Sequence, residues 1–241
     1  GLILMTLRRM AEADRFVRAG KWLKGPLPLG TCIAGKRLGI LGLGRIGMEL
    51  ARRAEVVGMQ VAYHNRTKKD VAMTYFPSLV ELAGWADVLA VACPGGAATR
   101  HLVDASVLAA LGPEGWLVNI ARGSVVDETA LVEALQAGRL KGAGLDVFAD
   151  EPRVPEALLA MNNVVLQPHQ ASATEETRDA MADLVVQNLR AHFAGEPLIT
   201  RGECHRPPDR RHRTVAILGY RGGQDTGACH ARWRPLHAPC S

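Results

Sequence analysis

The sequence predicts an α/β fold in which a doubly wound parallel sheet carries helices on both faces. Short apolar segments alternate with amphipathic segments through residues 36–166, and glycine or polar residues follow most of the apolar segments. This alternation is typical of repeated strand–helix–strand units, and near-continuous apolar runs are typical of strands that are buried on both faces. In such a fold, ligands bind beyond the carboxyl ends of the strands.

Length and composition agree with this fold class. The chain has 241 residues, of which 48% are hydrophobic, so it is long enough to bury a sizeable core. The longest apolar stretches, residues 2–7 and 88–93, are too short to span a bilayer. The five cysteines are irregularly spaced and do not form a disulfide framework. We therefore expect a cytoplasmic protein that does not associate with membranes.

The excess positive charge is confined to the carboxyl terminus. The formal net charge is +5, and residues 201–241 contain eight arginines against three acidic residues. The rest of the chain is neutral, so we expect no nucleic-acid partner. Residues 200–241 are predicted to be a basic, disordered tail. Its cysteines and histidines lack the paired spacing of a zinc module, and we expect no metal.

The first thirty residues are predicted to form a crossover helix and an extended arm. Residues 2–17 indicate a helix that ends near Gly20. Its first residues are apolar nearly all round, which favours burial against another domain or subunit. Prolines stiffen residues 24–30, and such an arm must lie on some other surface.

The most informative motif is the glycine turn between an apolar run at residues 38–41 and an amphipathic stretch at residues 48–57. A second apolar run follows at residues 61–63. In a strand–turn–helix–strand unit of this spacing, Gly42 permits the tight turn, Gly44 lets the backbone approach a pyrophosphate, and Gly47 lets the helix pack on the strand. The helix N-terminus offers unpaired N–H groups. The motif predicts a Rossmann-type domain that binds a dinucleotide.

The residues that close the second strand indicate which dinucleotide. An NAD site has Asp or Glu there to bind the ribose hydroxyls, whereas this chain has His64, Asn65, Arg66 and Thr67. No carboxylate would repel a 2′-phosphate, and the guanidinium of Arg66 can pair with one. NADP is therefore favoured, with NAD as the second choice. A solvated basic loop is the alternative interpretation.

The remaining elements continue the alternation. Ser78, Asp127 and Ser172 are predicted to cap helices at residues 79–83, 128–136 and 172–195. A further helix is predicted at residues 105–111. The predicted strands are residues 71–76, 87–93, 115–120, 143–147 and 164–166.

Three side chains that follow predicted strands form a candidate catalytic set: Arg122, Glu151 and His169. Reduction of a 2-oxo acid requires a proton donor, which an imidazolium can be near neutral pH. A neighbouring carboxylate favours the charged imidazole, and a guanidinium can hold the substrate carboxylate. Each residue alone could instead be structural. Their joint placement behind a dinucleotide motif favours catalysis.

Four ordered motifs, LGLGRIG, NIARGSVVDETAL, GAGLDVFADEP and PHQASATEETR, closely resemble the nucleotide-binding domain of the D-isomer-specific 2-hydroxyacid dehydrogenases. The NADPH-dependent glyoxylate/hydroxypyruvate reductase branch is most similar. The resemblance implies that Arg122 binds substrate, that His169 is the acid/base and that Glu151 orients it. It also implies cofactor contacts. These are Arg45 and Ile46 at the pyrophosphate, Asn65, Arg66 and Thr67 at the ribose phosphate, Cys93, Pro94 and Thr99 at the adenosine side, and Ile120, Ala121 and Asp146 near the nicotinamide.

The resemblance covers residues 1–199 and implies a homodimer. By this resemblance, the chain lacks a counterpart of the N-terminal half of the family's substrate domain. The crossover helices would then belong to a substrate domain that is mostly missing. The expected organisation is a crossover helix and arm (1–30), a dinucleotide-binding domain (31–170), a return helix (171–199) and the tail. Two functions remain open: an NADPH-dependent reductase of a small 2-oxo acid, and a non-catalytic dinucleotide-binding or cofactor-sensing module.

Overall fold

A seven-stranded parallel sheet forms the centre of the structure, a computed structural model that describes residues 1–200. Its strands are β1 Arg37–Leu41, β2 Gln60–His64, β3 Thr74–Tyr75, β4 Val88–Val91, β5 Trp116–Asn119, β6 Gly142–Leu145 and β7 Val164–Leu166. They lie in the order β3-β2-β1-β4-β5-β6-β7, and every pair is parallel. The order reverses between β1 and β4, which makes this the switch point of a doubly wound sheet. The predicted fold class is confirmed.

Eight α-helices occur within residues 1–200. They are α1 Leu2–Leu7, α2 Met10–Arg18, α3 Arg45–Val56, α4 Leu79–Trp85, α5 Ala105–Leu111, α6 Glu128–Gln136, α7 Glu156–Leu159 and α8 Glu175–Phe193. In this part of the chain, no helix combines the length and the apolar character needed to cross a membrane. The chain divides into two units, residues 1–174 and a second unit that begins at Glu175. Residues 201–241, all but the first residue of the predicted basic tail, lie outside the described residues.

Two apolar clusters cover the two faces of the sheet. On one face, α1 and α3 pack over a cluster that includes Leu7, Leu38 and Tyr63, all fully buried. On the other face, α4, α5 and α6 pack over a cluster that includes Leu82 and Leu117. Because both faces are covered, the central strands are buried along their whole length, as their near-continuous apolar sequences predict.

The N-terminal helix differs from its prediction. It is broken into α1 and α2 at Arg9, which adopts the left-handed conformation with φ of 54°. The apolar residues of α1, including Leu2, Ile3 and Leu7, are buried against β5, β6 and β7 of the same chain. The expectation that another domain or subunit covers this helix was therefore wrong. The chain's own sheet provides the apolar surface.

Two of the three predicted caps are present. Ser78 Oγ accepts a hydrogen bond from Glu81 N–H at the start of α4, and Asp127 Oδ1 accepts one from Ala130 N–H at the start of α6. The Ser172 cap was wrong, because α8 begins three residues later. The strand predicted at residues 71–76 is shorter than expected: only the two residues of β3 pair with β2.

The second unit contains a contact that the sequence did not predict. Asn188 on α8 donates its amide to the Thr200 hydroxyl at 2.9 Å, and its carbonyl oxygen accepts from Thr200 N–H at 3.1 Å. One side chain thereby fixes the residue that ends the described part of the chain.

Gly47 makes the closest helix–strand contact near the glycine turn. A β-carbon at Gly47 would lie 2.2 Å from the carbonyl oxygen of Gly42. Because this oxygen belongs to the backbone, relief of the clash would require the turn or the helix to shift. Gly44 is different: its φ is −88°, and a β-carbon there would meet nothing within 4 Å. Gly47 therefore allows α3 to pack closely on the turn, as the motif predicts. Gly44 lies beside open space.

We expect Gly47→Ala to lower the free energy of unfolding by about 1–3 kcal/mol or more, because α3 must move away from the turn. Gly44→Ala is the matched control and should change stability by no more than about 0.5 kcal/mol. Urea denaturation of both variants measures the difference. Equal losses would contradict the packing role of Gly47.

Candidate active site

The glycine turn places a helix N-terminus at the switch point of the sheet. Gly42 has φ of 102°, and a β-carbon there would lie 2.5 Å from the amide nitrogen of Cys93, so the turns after β1 and β4 touch backbone to backbone. Gly44, Arg45 and Ile46 follow as exposed residues at the start of α3. The first N–H groups of a helix have no intrahelical acceptor. They lie here beside an open surface, which suits an anionic group.

Asn65 holds the glycine turn from the end of β2. Its Oδ1 accepts a hydrogen bond of 2.7 Å from the buried Leu43 N–H. Its side-chain nitrogen has no hydrogen-bond partner within the described residues. Asn65 was expected to contact the ribose phosphate. Its oxygen binds Leu43 N–H and its amide nitrogen remains available for a ligand, so the expected contact stays a prediction.

Arg66 and Thr67 are exposed on the loop that follows β2. Within residues 1–200, Arg66 makes no ion pair or hydrogen bond, which leaves its guanidinium available. The preceding His64 is engaged instead, with Nδ1 2.9 Å from the carbonyl oxygen of Phe76. No acidic side chain ends β2, in agreement with the sequence analysis.

The loop after β4 is anchored at both ends. Cys93 is buried at the turn, and burial raises the pKa of its thiol. Pro94 is exposed, and its carbonyl oxygen accepts a hydrogen bond of 2.8 Å from the Thr99 hydroxyl. The Thr99 hydroxyl also lies 3.2 Å from the carbonyl oxygen of Gly96. Its proton is therefore used within the loop, and a ligand would find mainly its oxygen lone pairs.

The buried Asn119 shapes the turn that carries Arg122. Its side chain accepts from Ala121 N–H at 3.0 Å and donates to the Arg122 carbonyl oxygen at 3.0 Å. The Arg122 side chain crosses over Gly95, where a β-carbon would lie 2.6 Å from Arg122 Cγ. Its guanidinium donates to the Ala121 carbonyl oxygen while the residue remains exposed. Ile120 lies half-buried at the start of this turn.

Glu151 and His169 meet although they are 18 positions apart in the sequence. His169 Nδ1 lies 2.8 Å from Glu151 Oε2, and the other carboxylate oxygen accepts from Phe148 N–H at 3.0 Å. An ionised carboxylate only accepts hydrogen bonds, so the His169 Nδ1 carries the proton. The other ring nitrogen, Nε2, makes no hydrogen bond within the described residues. The side chains are 45% and 36% exposed, so a small molecule can reach them.

Asp146 supports the histidine turn from below. It is 1% exposed, and its two carboxylate oxygens accept from Gln170 N–H at 2.7 Å and from Ala171 N–H at 3.0 Å. Its backbone carbonyl accepts from His169 N–H at 2.9 Å, and His169 has a left-handed φ of 53°. Asp146 was expected near the nicotinamide by resemblance. Both oxygens of its carboxylate bind the backbone beside the histidine, and its place near the nicotinamide stays a prediction.

The loops that carry the predicted catalytic residues pack directly on one another. A β-carbon on Gly123 would lie 1.9 Å from the carbonyl carbon of Phe148, so the Arg122 turn and the Glu151 loop are in backbone contact. The structure thus joins Glu151 to His169 by a hydrogen bond and Arg122 to their neighbourhood by packing. The described residues contain no cluster of three potential metal ligands.

One residue of this edge, Asn119, and the backbone contacts of Asp146 were not predicted from the sequence. Asn119 and the backbone role of Asp146 carry no spacing signal, because each binds main-chain groups. The available clue is a polar residue at the end of an otherwise apolar strand. Such a residue is buried only if its hydrogen bonds are satisfied.

Comparison with known proteins identifies the family that this geometry belongs to. Residues 1–171 match the family model described as D-isomer specific 2-hydroxyacid dehydrogenase, NAD binding domain. Among curated proteins, the chain is 56% identical over 201 residues to glyoxylate/hydroxypyruvate reductase A HPR2 of Arabidopsis thaliana. It is 55% identical over 201 residues to hydroxyphenylpyruvate reductase of Plectranthus scutellarioides. Each match covers 83% of this chain and 64% of the relative, so the chain spans about two thirds of the length of these proteins.

A similar solved structure is the NADPH-dependent glyoxylate/hydroxypyruvate reductase of Sinorhizobium meliloti in complex with NADP and malonate. It is 51% identical to this chain, with a TM-score of 0.80, and the match covers 83% of this chain and 64% of that one. A third curated relative, 2-ketogluconate reductase of Gluconobacter oxydans, is 49% identical over 200 residues. The likeness therefore extends to both the sequence and the fold.

We expect Asp146→Asn to destabilise the histidine turn, because an amide NH₂ would then face a backbone N–H donor. The free energy of unfolding should fall by about 1–3 kcal/mol, the cost of a buried unsatisfied group. Hydrogen exchange at Gln170 and Ala171 should accelerate. Asp150→Asn is the matched control, since its solvent-exposed ion pair with Arg153 should contribute little to stability. Unchanged exchange in Asp146→Asn would refute this role.

Proposed function

Because the chain belongs to the D-isomer-specific 2-hydroxyacid dehydrogenase family through its NAD-binding domain, we propose that it binds NADP and acts in the reduction of a small 2-oxo acid to the D-2-hydroxy acid. The observation that carries this proposal is the 2.8 Å contact between His169 and Glu151 on the sheet edge that also carries the glycine turn. An imidazole that a carboxylate orients beside a dinucleotide site is the arrangement that carbonyl reduction requires.

The residues present fit a dinucleotide. An open surface lies at Gly44, where a β-carbon would meet nothing within 4 Å, and it adjoins the N-terminus of α3. We assign the pyrophosphate to Arg45 and Ile46, the adenosine side to Cys93, Pro94 and Thr99, and the nicotinamide to the turn at Ile120 and Ala121. Gly42 and Gly47 shape the backbone around this surface. The relative from Sinorhizobium meliloti was crystallised with NADP, which supports the assignment.

Preference for NADP rests on the loop after β2. Arg66 is exposed and has no acidic partner within the described residues, and no carboxylate ends β2. A guanidinium binds phosphate through paired, charge-assisted hydrogen bonds. Thr67 can add a hydroxyl and Asn65 its amide nitrogen. NAD, which has no 2′-phosphate, would leave this cationic loop unused.

In the proposed reaction, NADPH supplies the hydride. Glu151 accepts the Nδ1 proton of His169 in a hydrogen bond, which fixes the ring and directs Nε2 toward the reacting oxygen. The imidazolium form of His169 donates a proton at Nε2 to the oxygen of the carbonyl group. Arg122 holds the substrate carboxylate, and its turn is fixed by Asn119. The chain thus provides a proton donor, its orienting carboxylate and an anion clamp.

The substrate class follows from what the relatives share. Glyoxylate, hydroxypyruvate, hydroxyphenylpyruvate and 2-ketogluconate, the compounds in the relatives' names, are all 2-oxo acids with different side chains. Arg122 and His169 address the two groups that these acids have in common, the carboxylate and the adjacent carbonyl. We propose glyoxylate and hydroxypyruvate as the first substrates to test.

We also propose that the protein forms a homodimer through the segment after α2. Trp22, Leu23 and Leu29 are 69%, 94% and 95% exposed. Large apolar side chains in so exposed a group favour association. Sedimentation velocity of the full chain over a range of concentrations tests this, and a monomer at every concentration would contradict it.

Activity is tested by the loss of NADPH absorbance with glyoxylate or hydroxypyruvate. We expect His169→Gln to lower kcat/KM by about 10²–10⁴-fold, because the general acid is lost, with unchanged NADPH affinity. The matched control is His101→Gln. His101 also has a left-handed φ, but its Nδ1 lies 3.9 Å from Asp127, beyond hydrogen-bond distance. NADPH binding without turnover in the unaltered chain would refute the catalytic proposal for this chain.

Cofactor preference is tested separately by binding. We expect Arg66→Ala to weaken NADPH about tenfold or more while it changes NADH less than about twofold, because charge-assisted hydrogen bonds to the 2′-phosphate are lost. Arg52→Ala removes a guanidinium from the exposed face of α3 and serves as the control. Isothermal titration calorimetry gives both dissociation constants. Equal weakening of the two cofactors would contradict the phosphate-reading role.

A further inference from the structure

The hydroxyl of Tyr63 closes the loop that carries Arg66. Tyr63 lies on β2 and is fully buried. Its Oη accepts a hydrogen bond of 2.8 Å from Lys69 N–H and donates one of 3.2 Å to the Lys69 carbonyl oxygen. A single side chain thus binds both backbone polar groups of a residue six positions further along. The loop at residues 65–69 is thereby fastened at its far end.

A second tyrosine holds the near end of the same loop. Tyr75 lies on β3, and its hydroxyl donates a 3.2 Å hydrogen bond to the Asn65 carbonyl oxygen. The rings of Tyr63 and Tyr75 pack together with centroids 5.4 Å apart. The Asn65 side chain is at the same time bound to Leu43 N–H in the glycine turn. The first residue of the loop is therefore held from the sheet and from the glycine turn.

The side chains between these anchors are left available. Arg66, Thr67 and Lys68 are exposed. None of them makes a hydrogen bond or an ion pair within the described residues. A fixed backbone that presents unpaired cationic and hydroxyl groups is a preorganised anion site, because the ordering of the loop precedes the arrival of the ligand.

We propose that Tyr63, assisted by Tyr75, is a positioning residue that tunes the selectivity for NADP over NAD. This inference rests on the proposed cofactor preference. Tyr63 is buried and its hydroxyl is saturated by Lys69, so it acts through the loop rather than by touching the cofactor. When the anchor is removed, the loop must be ordered each time a 2′-phosphate binds. A cofactor without that phosphate does not need the ordered loop.

The test is Tyr63→Phe, which keeps the buried ring and removes only the anchor. Loss of two neutral hydrogen bonds that order the loop should weaken NADPH binding about threefold to tenfold. NADH binding should change less than about twofold. The same contrast is expected between 2′,5′-ADP, which has the phosphate, and 5′-AMP, which lacks it. Calorimetric titration of the full chain measures all four ligands.

A double-mutant cycle distinguishes positioning from a general structural effect. If Tyr63 acts through Arg66, the effect of Tyr63→Phe on NADPH should disappear in an Arg66→Ala background. Persistence of the full effect in that background would overturn the proposal. Equal weakening of NADPH and NADH by Tyr63→Phe would also overturn it. If Tyr63→Phe is too unstable to titrate, Tyr75→Phe provides the same comparison, because Tyr75 is only half-buried.

The outcomes also separate this inference from the cofactor preference on which it depends. If Arg66→Ala does not change the ratio of the NADPH and NADH dissociation constants, both the cofactor preference and the positioning role are refuted. If Arg66→Ala changes this ratio but neither Tyr63→Phe nor Tyr75→Phe does, only the positioning role is refuted. Selective loss of NADPH binding in the tyrosine variants, which vanishes without Arg66, supports both.

Discussion

The candidate site depends on turns that approach one another more closely than side chains would allow. Gly42 lies against Cys93, Gly47 against Gly42, and Gly123 against Phe148, each at a distance that a β-carbon could not occupy. These contacts bring the carboxyl ends of neighbouring strands together without intervening side chains. The functional groups can therefore occupy the outer surface of the turns, while the backbone of one turn supports the next.

Buried polar side chains then fix the directions of these turns. Asn119 is the last residue of β5, and Asp146 directly follows β6. The side chains of both residues form hydrogen bonds with main-chain groups. The low dielectric around a buried group strengthens such bonds and makes an unpaired partner costly. The exposed Arg122 and His169 are consequently carried by backbone segments with little freedom. The site combines an accessible surface with an inflexible base.

Much of this arrangement could be predicted from the sequence, for identifiable reasons. The parallel sheet follows from alternating apolar and amphipathic segments, and the glycine turn from its spacing between strand and helix. The pairing of Glu151 with His169 was expected because both follow strands of one sheet, and the structure has them in contact. Sequence patterns report periodicity and local turn chemistry well, so these features were within reach.

The parts that escaped prediction depend on tertiary contacts. The break of the first helix at Arg9 has no local sequence signal. It accompanies a tertiary contact, in which α1 packs on the sheet. The partner of Asn65 Oδ1 is a buried backbone amide 22 positions earlier in the chain, which no local sequence pattern indicates. Ser172 matched a capping pattern in sequence, but the helix starts later. For α1 and Asn65, contacts between segments that are distant in the sequence determine the local structure.

The lengths of the outermost strands have a consequence for solubility. The sheet ends in β3, with two residues, on one side and in β7, with three, on the other. An exposed sheet edge offers unpaired backbone groups that another chain can extend, and short edge strands limit this risk. The longest strands lie inside these edges: β1 is paired on both sides, and β2 is paired along its length with β1 and over two residues with β3. Within residues 1–200, the two edge strands therefore present little backbone with which another chain could pair.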